Sequence, residues 1–177
     1  MVLCAEMAIG GLAGAALLLL APASVFTAVV PWLVALGAVL LLARDRIRSW
    51  AERRALRRGR ASSPWTWHLM VPVIGVYGGY FGAGAGVILL AAIAVRHVEP
   101  FAVSNAVKNL GIGAANGTAA IAYLARGQVD VRAAVLLGAG AFVGGWFGPA
   151  VVRWLPERPL RMAIGIAGLG LAVSLAV

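Results

Sequence analysis

The sequence predicts an all-α polytopic membrane protein, and its composition, mean hydropathy and apolar runs are the observations that predict it. Of the 177 residues, 62% are hydrophobic and only 12% are charged, compared with about 25% charged residues in soluble domains. The mean hydropathy is +0.94. Six apolar runs approach or exceed the spanning length of about 20 residues, at residues 7–21, 25–43, 69–95, 106–125, 133–152 and 160–177. We therefore expect nearly the whole chain to lie in a bilayer, with no soluble domain.

The first two runs are predicted to be ordinary membrane spans. Residues 7–21 lack the basic amino-terminal region of a secretory signal and are preceded by Glu6, which favours a retained span. Eight of the fifteen basic residues then follow the second run, within residues 44–60. By the positive-inside rule, this basic segment predicts a cytoplasmic loop, which we place at residues 44–67. No nucleic-acid motif accompanies the net charge of +9, so anionic lipid is the expected contact and nucleic acid is not.

The third run, residues 69–95, is too long for one simple span and is broken by glycines in its middle. Glycine at this density interrupts a helix. Two alternatives follow: one kinked crossing, or a re-entrant hairpin of two half-helices that enter and leave on the same side. A kinked crossing divides the basic residues ten inside to five outside, whereas re-entrance leaves only Arg126 and Arg132 outside. The positive-inside rule favours re-entrance, which predicts about five full transmembrane helices plus the hairpin.

The chain also contains an internal repeat that links its beginning to its end. Gly10, Gly11, Gly14 and Pro22 align with Gly144, Gly145, Gly148 and Pro156. Residues 8–43 and 142–177 are thus predicted to be equivalent helix pairs, although chance similarity among small residues is the alternative. With a re-entrant hairpin between them the repeats become inverted, a plan typical of secondary transporters.

This repeat predicts the domain organisation. Residues 1–43 form the second half of a first repeat, residues 44–67 the Arg-rich loop, and residues 68–177 a complete second repeat. The first copy has no counterpart of residues 69–95 and 106–125. We therefore expect either a missing amino-terminal half or completion by association, for example as a homo-oligomer.

The fourth run, residues 106–125, is predicted to form a helix together with the residues just before it. Polar residues lie along one side of this helix. With Asn105 set at zero, Lys108 falls at about −60°, Asn109 at about +40°, Asn116 at about +20° and Tyr123 near zero on a helical wheel. A lysine at the bilayer centre costs roughly 2.5–3.5 kcal/mol, and a bound anion would offset that cost. The alternative is that Lys108 extends to the interface while the asparagines bond neighbouring helices.

The glycine run offers a second group of anion ligands. Gly82, Gly84 and Gly86 belong to no nucleotide-binding loop, but their amides at the start of a half-helix can hold an anion. Close helix packing through small residues is the alternative, and packing is also the interpretation of Gly140, Gly144 and Gly148. The predicted anion site therefore comprises Asn105, Lys108, Asn109, Asn116, Gly82, Gly84 and Gly86.

The remaining residues do not indicate an enzyme. The six carboxylates lie at span ends or in loops, and His68 and His97 have no second ligand at metal spacing. Cys4 is the only cysteine, which excludes an intramolecular disulfide. We expect no metal, no cofactor and no catalytic residue.

Several motifs together resemble the carboxy-terminal repeat of the TauE/SafE sulfite exporter family. They are V-Y-G-G-Y-F-G-A-G-A-G at 76–86, S-N-A-V-K-N at 104–109, G-Q-V-D at 127–130 and G-G-W-F-G-P at 144–149. Residues 8–43 resemble the end of the family's first repeat. The resemblance implies a bacterial inner-membrane permease for small sulfur-containing anions such as sulfite or organosulfonates. Family members are usually longer, and the piece missing here is the first repeat's own hairpin and the helix after it.

Overall fold

A computed structural model describes residues 1–58, 64–96, 99–127, 129–152 and 157–176. These residues form helices and no strands, which confirms the predicted all-α fold class. Each helix matches a predicted apolar run or one half of the broken run. The helices are α1 Val2–Leu20, α2 Ala23–Arg58, α3 Pro64–Tyr80, α4 Ala85–Arg96, α5 Phe101–Ala125, α6 Val131–Val152 and α7 Glu157–Ala176.

Three stretches of helix are long and apolar enough to cross a membrane, namely Val2–Leu20, Ala23–Ala51 and Val131–Gly148. Helix α5 has the length, with 25 residues, but its lysine and asparagines lower its hydropathy. The apolar part of α7, Met162–Leu175, is shorter. Five full transmembrane helices were predicted. Within the described chain, three helices meet the length and apolar composition that a span needs.

Helix α1 packs against α3 and α5 with almost no side chain between the backbones. A Cβ atom added to Gly10 or Gly14 would overlap the backbone of α3, and one added to Gly11 would lie 2.7 Å from the Cα of Ala115. Gly79 on α3 contacts the backbone of Gly11 in the same way. The GG-x-x-G sequence of α1 thus allows the close helix contact that small residues provide inside membranes.

The glycine-rich run forms a helical hairpin, α3 followed by α4. The chain reverses at Gly82 and Gly84, whose φ angles are +83° and +82°, a conformation that costs other residues about 1–2 kcal/mol. The guanidinium of Arg96, at the end of α4, lies 5.2 Å from the ring centroid of Trp67, near the start of α3. The hairpin therefore returns to the side it came from, which confirms the predicted hairpin and excludes the single kinked crossing.

Helices α2 and α7, which the predicted repeat pairs with each other, run antiparallel. A Cβ on Gly165 would overlap the side chain of Leu42, and one on Gly168 would lie 3.2 Å from the Cβ of Ala38. The residue numbers at the contact increase along α7 while they decrease along α2. The two helices therefore point in opposite directions. That is the arrangement an inverted repeat requires.

Two expectations from the sequence need correction. Residues 44–58, predicted as a loop, continue α2 as one helix, because Arg, Ala, Leu and Glu are all strong helix formers. Of the rest of the expected loop, residues 59–63 lie outside the described residues, and residues 64–67 begin α3. The second correction concerns α6: Gly140, Gly144 and Gly148 have no neighbouring heavy atom within 4 Å of a built Cβ, and no part of its apolar window Val131–Gly148 is buried. The close helix contact predicted for this stripe is therefore absent from the described part of the chain.

Candidate anion-binding site

A cavity of about 530 Å³ lies where α2, the hairpin tip, α5 and α7 meet. Its wall is mostly apolar, and two basic side chains enter it. The lining residues are Val34, Gly37, Ala38, Leu41 and Arg44 of α2, Phe81, Ala83, Gly84, Gly86, Val87 and Leu90 of the hairpin, Lys108 of α5, and Ile164 and Gly168 of α7. The tip of the hairpin thus lies beside the interior turns of α2, near Gly37.

Lys108 reaches this cavity across the start of α4. A Cβ on Gly86 would lie 3.5 Å from the Cδ of Lys108 and 4.0 Å from its Cε. The lysine stem therefore passes beside Gly86 at van der Waals distance. Lys108 itself is half-buried.

Arg44 is a second cation in the cavity wall, and it was not among the predicted site residues. It acts electrostatically on Lys108. Among the residues that the structure describes, no carboxylate forms an ion pair with either side chain. Two cations lining one largely apolar cavity raise its positive potential, which favours entry of an anion.

The hairpin tip adds backbone donors to the same place. The Tyr77 hydroxyl donates to the carbonyl oxygen of Ala83 at 2.6 Å, which fixes the tip against α3. The amides of Ala85 and Val87 bond to carbonyls within the tip, whereas those of Ala83, Gly84 and Gly86 have no backbone acceptor among the described residues. These N–H groups lie at the start of α4, where the positive end of the helix dipole attracts anions.

The structure brings together only part of the predicted site. Lys108, Gly84 and Gly86 line the cavity, and Gly82 forms the turn just before them. Asn105 is half-buried, Asn109 and Asn116 are exposed, and none of these three asparagines lines the cavity.

The wheel explains this separation. The buried positions of α5 are Ser104, Gly111, Ala115 and Ala119, which fall between about 240° and 320° on the wheel that has Asn105 at zero. Lys108 falls inside that sector and therefore belongs to the buried face. The asparagines fall outside it and lie on its flank. Their predicted role in binding stays a prediction.

Two further polar residues of α5 serve packing. The Tyr123 hydroxyl donates to the carbonyl oxygen of Gly79 at 2.5 Å, close to the end of α3. The Thr118 hydroxyl lies 2.9 Å from the carbonyl oxygen of Ala8 and 3.0 Å from that of Ala115 in its own helix. Thr118 therefore links α5 to α1 and also bonds back to its own helix.

A signal for Arg44 was present in the sequence. Gly37, Leu41 and Arg44 are spaced by four and three residues, which places them on one face of a helix. The expectation of a loop after residue 43 concealed this, because a loop has no faces.

Away from the cavity, Glu6 Oε1 and His68 Nδ1 are in contact across the α1–α3 interface. The other carboxylate oxygen of Glu6 is buried and has no hydrogen-bond partner among the described residues. No group of three or more potential metal-ligating side chains occurs in the part of the chain that the structure describes.

Apolar helices, a broken hairpin and a cationic cavity between them define a polytopic helical membrane protein of the transporter class. The chain belongs to the TauE/SafE sulfite exporter family, since the family model described as Sulfite exporter TauE/SafE matches residues 1–175. The resemblance noted from the motifs is thereby confirmed, and the family is one of transporters rather than enzymes. No curated protein and no solved structure matches the chain.

Proposed function

We propose that this protein is an inner-membrane permease, or the larger part of one, for small sulfur-containing anions of the sulfite or organosulfonate class. The observation that carries the proposal is the convergence of Arg44, Lys108 and the amino-terminal end of α4 on one cavity. The family match supports transport of a sulfur anion, and the cationic wall supports an anionic substrate.

Each group in the cavity has a distinct role in this proposal. Lys108 and Arg44 supply charge, and the guanidinium of Arg44 can donate two parallel hydrogen bonds to one oxyanion. The amides of Gly84 and Gly86 orient the oxygens without adding a mobile side chain. Asn105, Asn109 and Asn116 remain in the proposal as polar residues on the flank of α5 beside Lys108, outside the cavity wall.

The test begins with anion binding to the purified protein in lipid nanodiscs, measured by calorimetry with sulfite and with a small alkyl sulfonate. A hydrogen bond to a charged group contributes about 1.5–3 kcal/mol, so Lys108→Ala and Arg44→Ala should each weaken binding roughly 10- to 100-fold. Arg126→Ala is the matched control, because Arg126 is exposed at the end of α5 and does not line the cavity. Equal affinity in all three variants would remove the two cations from the site.

A second candidate function is that of a non-transporting membrane subunit that packs with a partner. The exposed helix α6 favours it, since a helix with no buried residues in its apolar window is what an unoccupied interface requires. Sulfite flux through vesicles containing only this chain separates the two functions. Flux that Lys108→Ala abolishes supports the permease, whereas anion binding without flux supports the subunit.

A further inference from the structure

Helix α1 carries one charged side chain, and the structure places it against the single histidine of α3. Within Val2–Leu20, which is apolar enough to cross a membrane, Glu6 is the only charged residue. Its Oε1 contacts His68 Nδ1, while its Oε2 is buried with no hydrogen-bond partner among the described residues. An ionisable residue inside a membrane span is costly, and carboxylates and histidines in such places commonly bind or relay protons. Neither residue lines the anion cavity.

The two members of this pair differ in their access to water. The side chain of Glu6 is 16% exposed, whereas that of His68 is 49% exposed. His68 follows Trp67, whose ring centroid lies 5.2 Å from the guanidinium of Arg96. Tryptophan and arginine at helix ends are typical of the membrane–water interface. A proton from water therefore reaches the buried carboxylate through the imidazole of His68.

The pair accepts one proton without any other chemical change. A neutral imidazole that carries its proton on Nδ1 donates it to Glu6 Oε1, which leaves the lone pair of Nε2 free. A proton from water then binds at Nε2 of His68. The charge of the pair changes from one negative charge to none, and no other bond forms or breaks.

The helices packed around the pair contain few other ionisable groups. Helix α4 has Arg96 as its only charged residue, and α5, which packs on α1 through Gly111, has Lys108. On α1 itself, Cys4 lies two residues from Glu6. Three tyrosines lie at or near the opposite end of α3 from His68, namely Tyr77, Tyr80 and Tyr123. The Glu6–His68 pair is thus the one contact between a carboxylate and an imidazole within the described parts of α1, α3, α4 and α5.

We propose that Glu6 and His68 form a proton-binding site coupled to anion binding in the cavity, an inference that rests on the proposed function. Helix α3 connects the two places. His68 lies near its start, and near its end the Tyr77 hydroxyl donates to the carbonyl oxygen of Ala83, which lines the cavity. A negative pair repels an incoming anion, and a neutral pair does not. Because coupling is reciprocal, a bound proton strengthens anion binding and a bound anion favours the proton.

Calorimetry in nanodiscs tests the coupling with methanesulfonate, whose single negative charge does not change over about pH 5–8, the range in which histidines usually titrate. Titrations in buffers of different ionisation enthalpy give the number of protons taken up per anion. For the native chain we expect proton uptake and affinity at least about fivefold higher at the acid end, the lower limit of typical coupling. Glu6→Gln keeps an acceptor for the Nδ1–H of His68 but should lose both effects, as should His68→Gln.

Glu99→Gln is the matched control, because it removes a carboxylate that is exposed and should leave proton uptake at the native value. If the pair only holds α1 against α3, Glu6→Gln and His68→Gln will lower the melting temperature while native proton uptake persists, which overturns the proposal. Failure of the proposed function looks different. In that case the native chain binds no methanesulfonate at any pH, and the coupling is lost with the anion site.

Discussion

The glycine contact between α1 and α5 permits a stability prediction worked from distances. A Cβ on Gly11 would overlap the carbonyl oxygen of Ala115 and lie 2.7 Å from its Cα and 2.8 Å from its carbonyl carbon. Non-bonded carbon atoms prefer about 3.5–4.0 Å, so Gly11→Ala forces the two backbones apart by roughly 1 Å. Because the obstacle is backbone, which cannot rotate away, we expect the upper end of the overpacking cost, about 3 kcal/mol.

The measurement needs a control that removes the effect of helix propensity. Replacing glycine by alanine inside a helix stabilises it by up to about 1 kcal/mol, and Gly113→Ala on α5 gains this with no atom within 4 Å of the new Cβ. The difference between the two variants isolates the steric cost. A steric cost of about 3 kcal/mol corresponds to roughly 6–12 °C in melting temperature for a chain of this size. The melting temperature is measured by tryptophan fluorescence in one detergent.

If Gly11→Ala melts within 2 °C of Gly113→Ala, at the resolution implied by about 2–4 °C per kcal/mol, then α1 and α5 are not in backbone contact. The helix packing around Gly11 described above would then be wrong.

Three further substitutions are expected to lower the melting temperature in the same assay. Gly84→Ala strains a residue with φ of +82° and places its Cβ 2.9 Å from the Cδ1 of Leu40, at a cost of about 1–2 kcal/mol from strain alone. Tyr123→Phe removes the hydrogen bond to the carbonyl oxygen of Gly79, and leaving that carbonyl without the bond costs about 1–3 kcal/mol. Gly165→Leu overlaps the side chain of Leu42 and pushes α7 from α2, with an overpacking cost of about 1–3 kcal/mol.

The two glycine variants each have a matched control. Gly127→Ala also carries a positive φ, but nothing lies within 4 Å, so Gly84→Ala should be the more destabilising of the two. Gly170→Leu adds the same side chain to α7 in open space and should leave the melting temperature near that of the native chain. A melting temperature for Gly165→Leu equal to that of Gly170→Leu would contradict the α2–α7 contact.

The sequence predicted the helices and the hairpin because the signals for both are local. An apolar run is visible without knowing its neighbours, and Gly82 and Gly84 occupy the two positions of the hairpin turn where φ is positive. The positive-inside count then chose between the kinked crossing and the hairpin. The Trp67–Arg96 contact confirms that choice.

The site was predicted less completely because its signals depend on neighbours. A helical wheel gives the angles between Asn105, Lys108 and Asn109 but does not say which sector faces another helix. Packing of α5 through Gly111 and Ala115 decides this, and it leaves only the lysine in the cavity. Arg44 was missed for the related reason that hydropathy marks where an apolar run ends, not where the helix ends.

The continuity of α2 links the membrane surface to the cavity wall. From Ala23 to Arg58 the helix is unbroken, and its only proline, Pro31, lies before the cavity-lining turns rather than between them and the basic turns. A rod of this kind bends little over a few turns, so a tilt of its Arg-rich end moves Arg44 and Leu41 together. Lipid headgroups that bound those arginines would thereby help to set the width of the cavity.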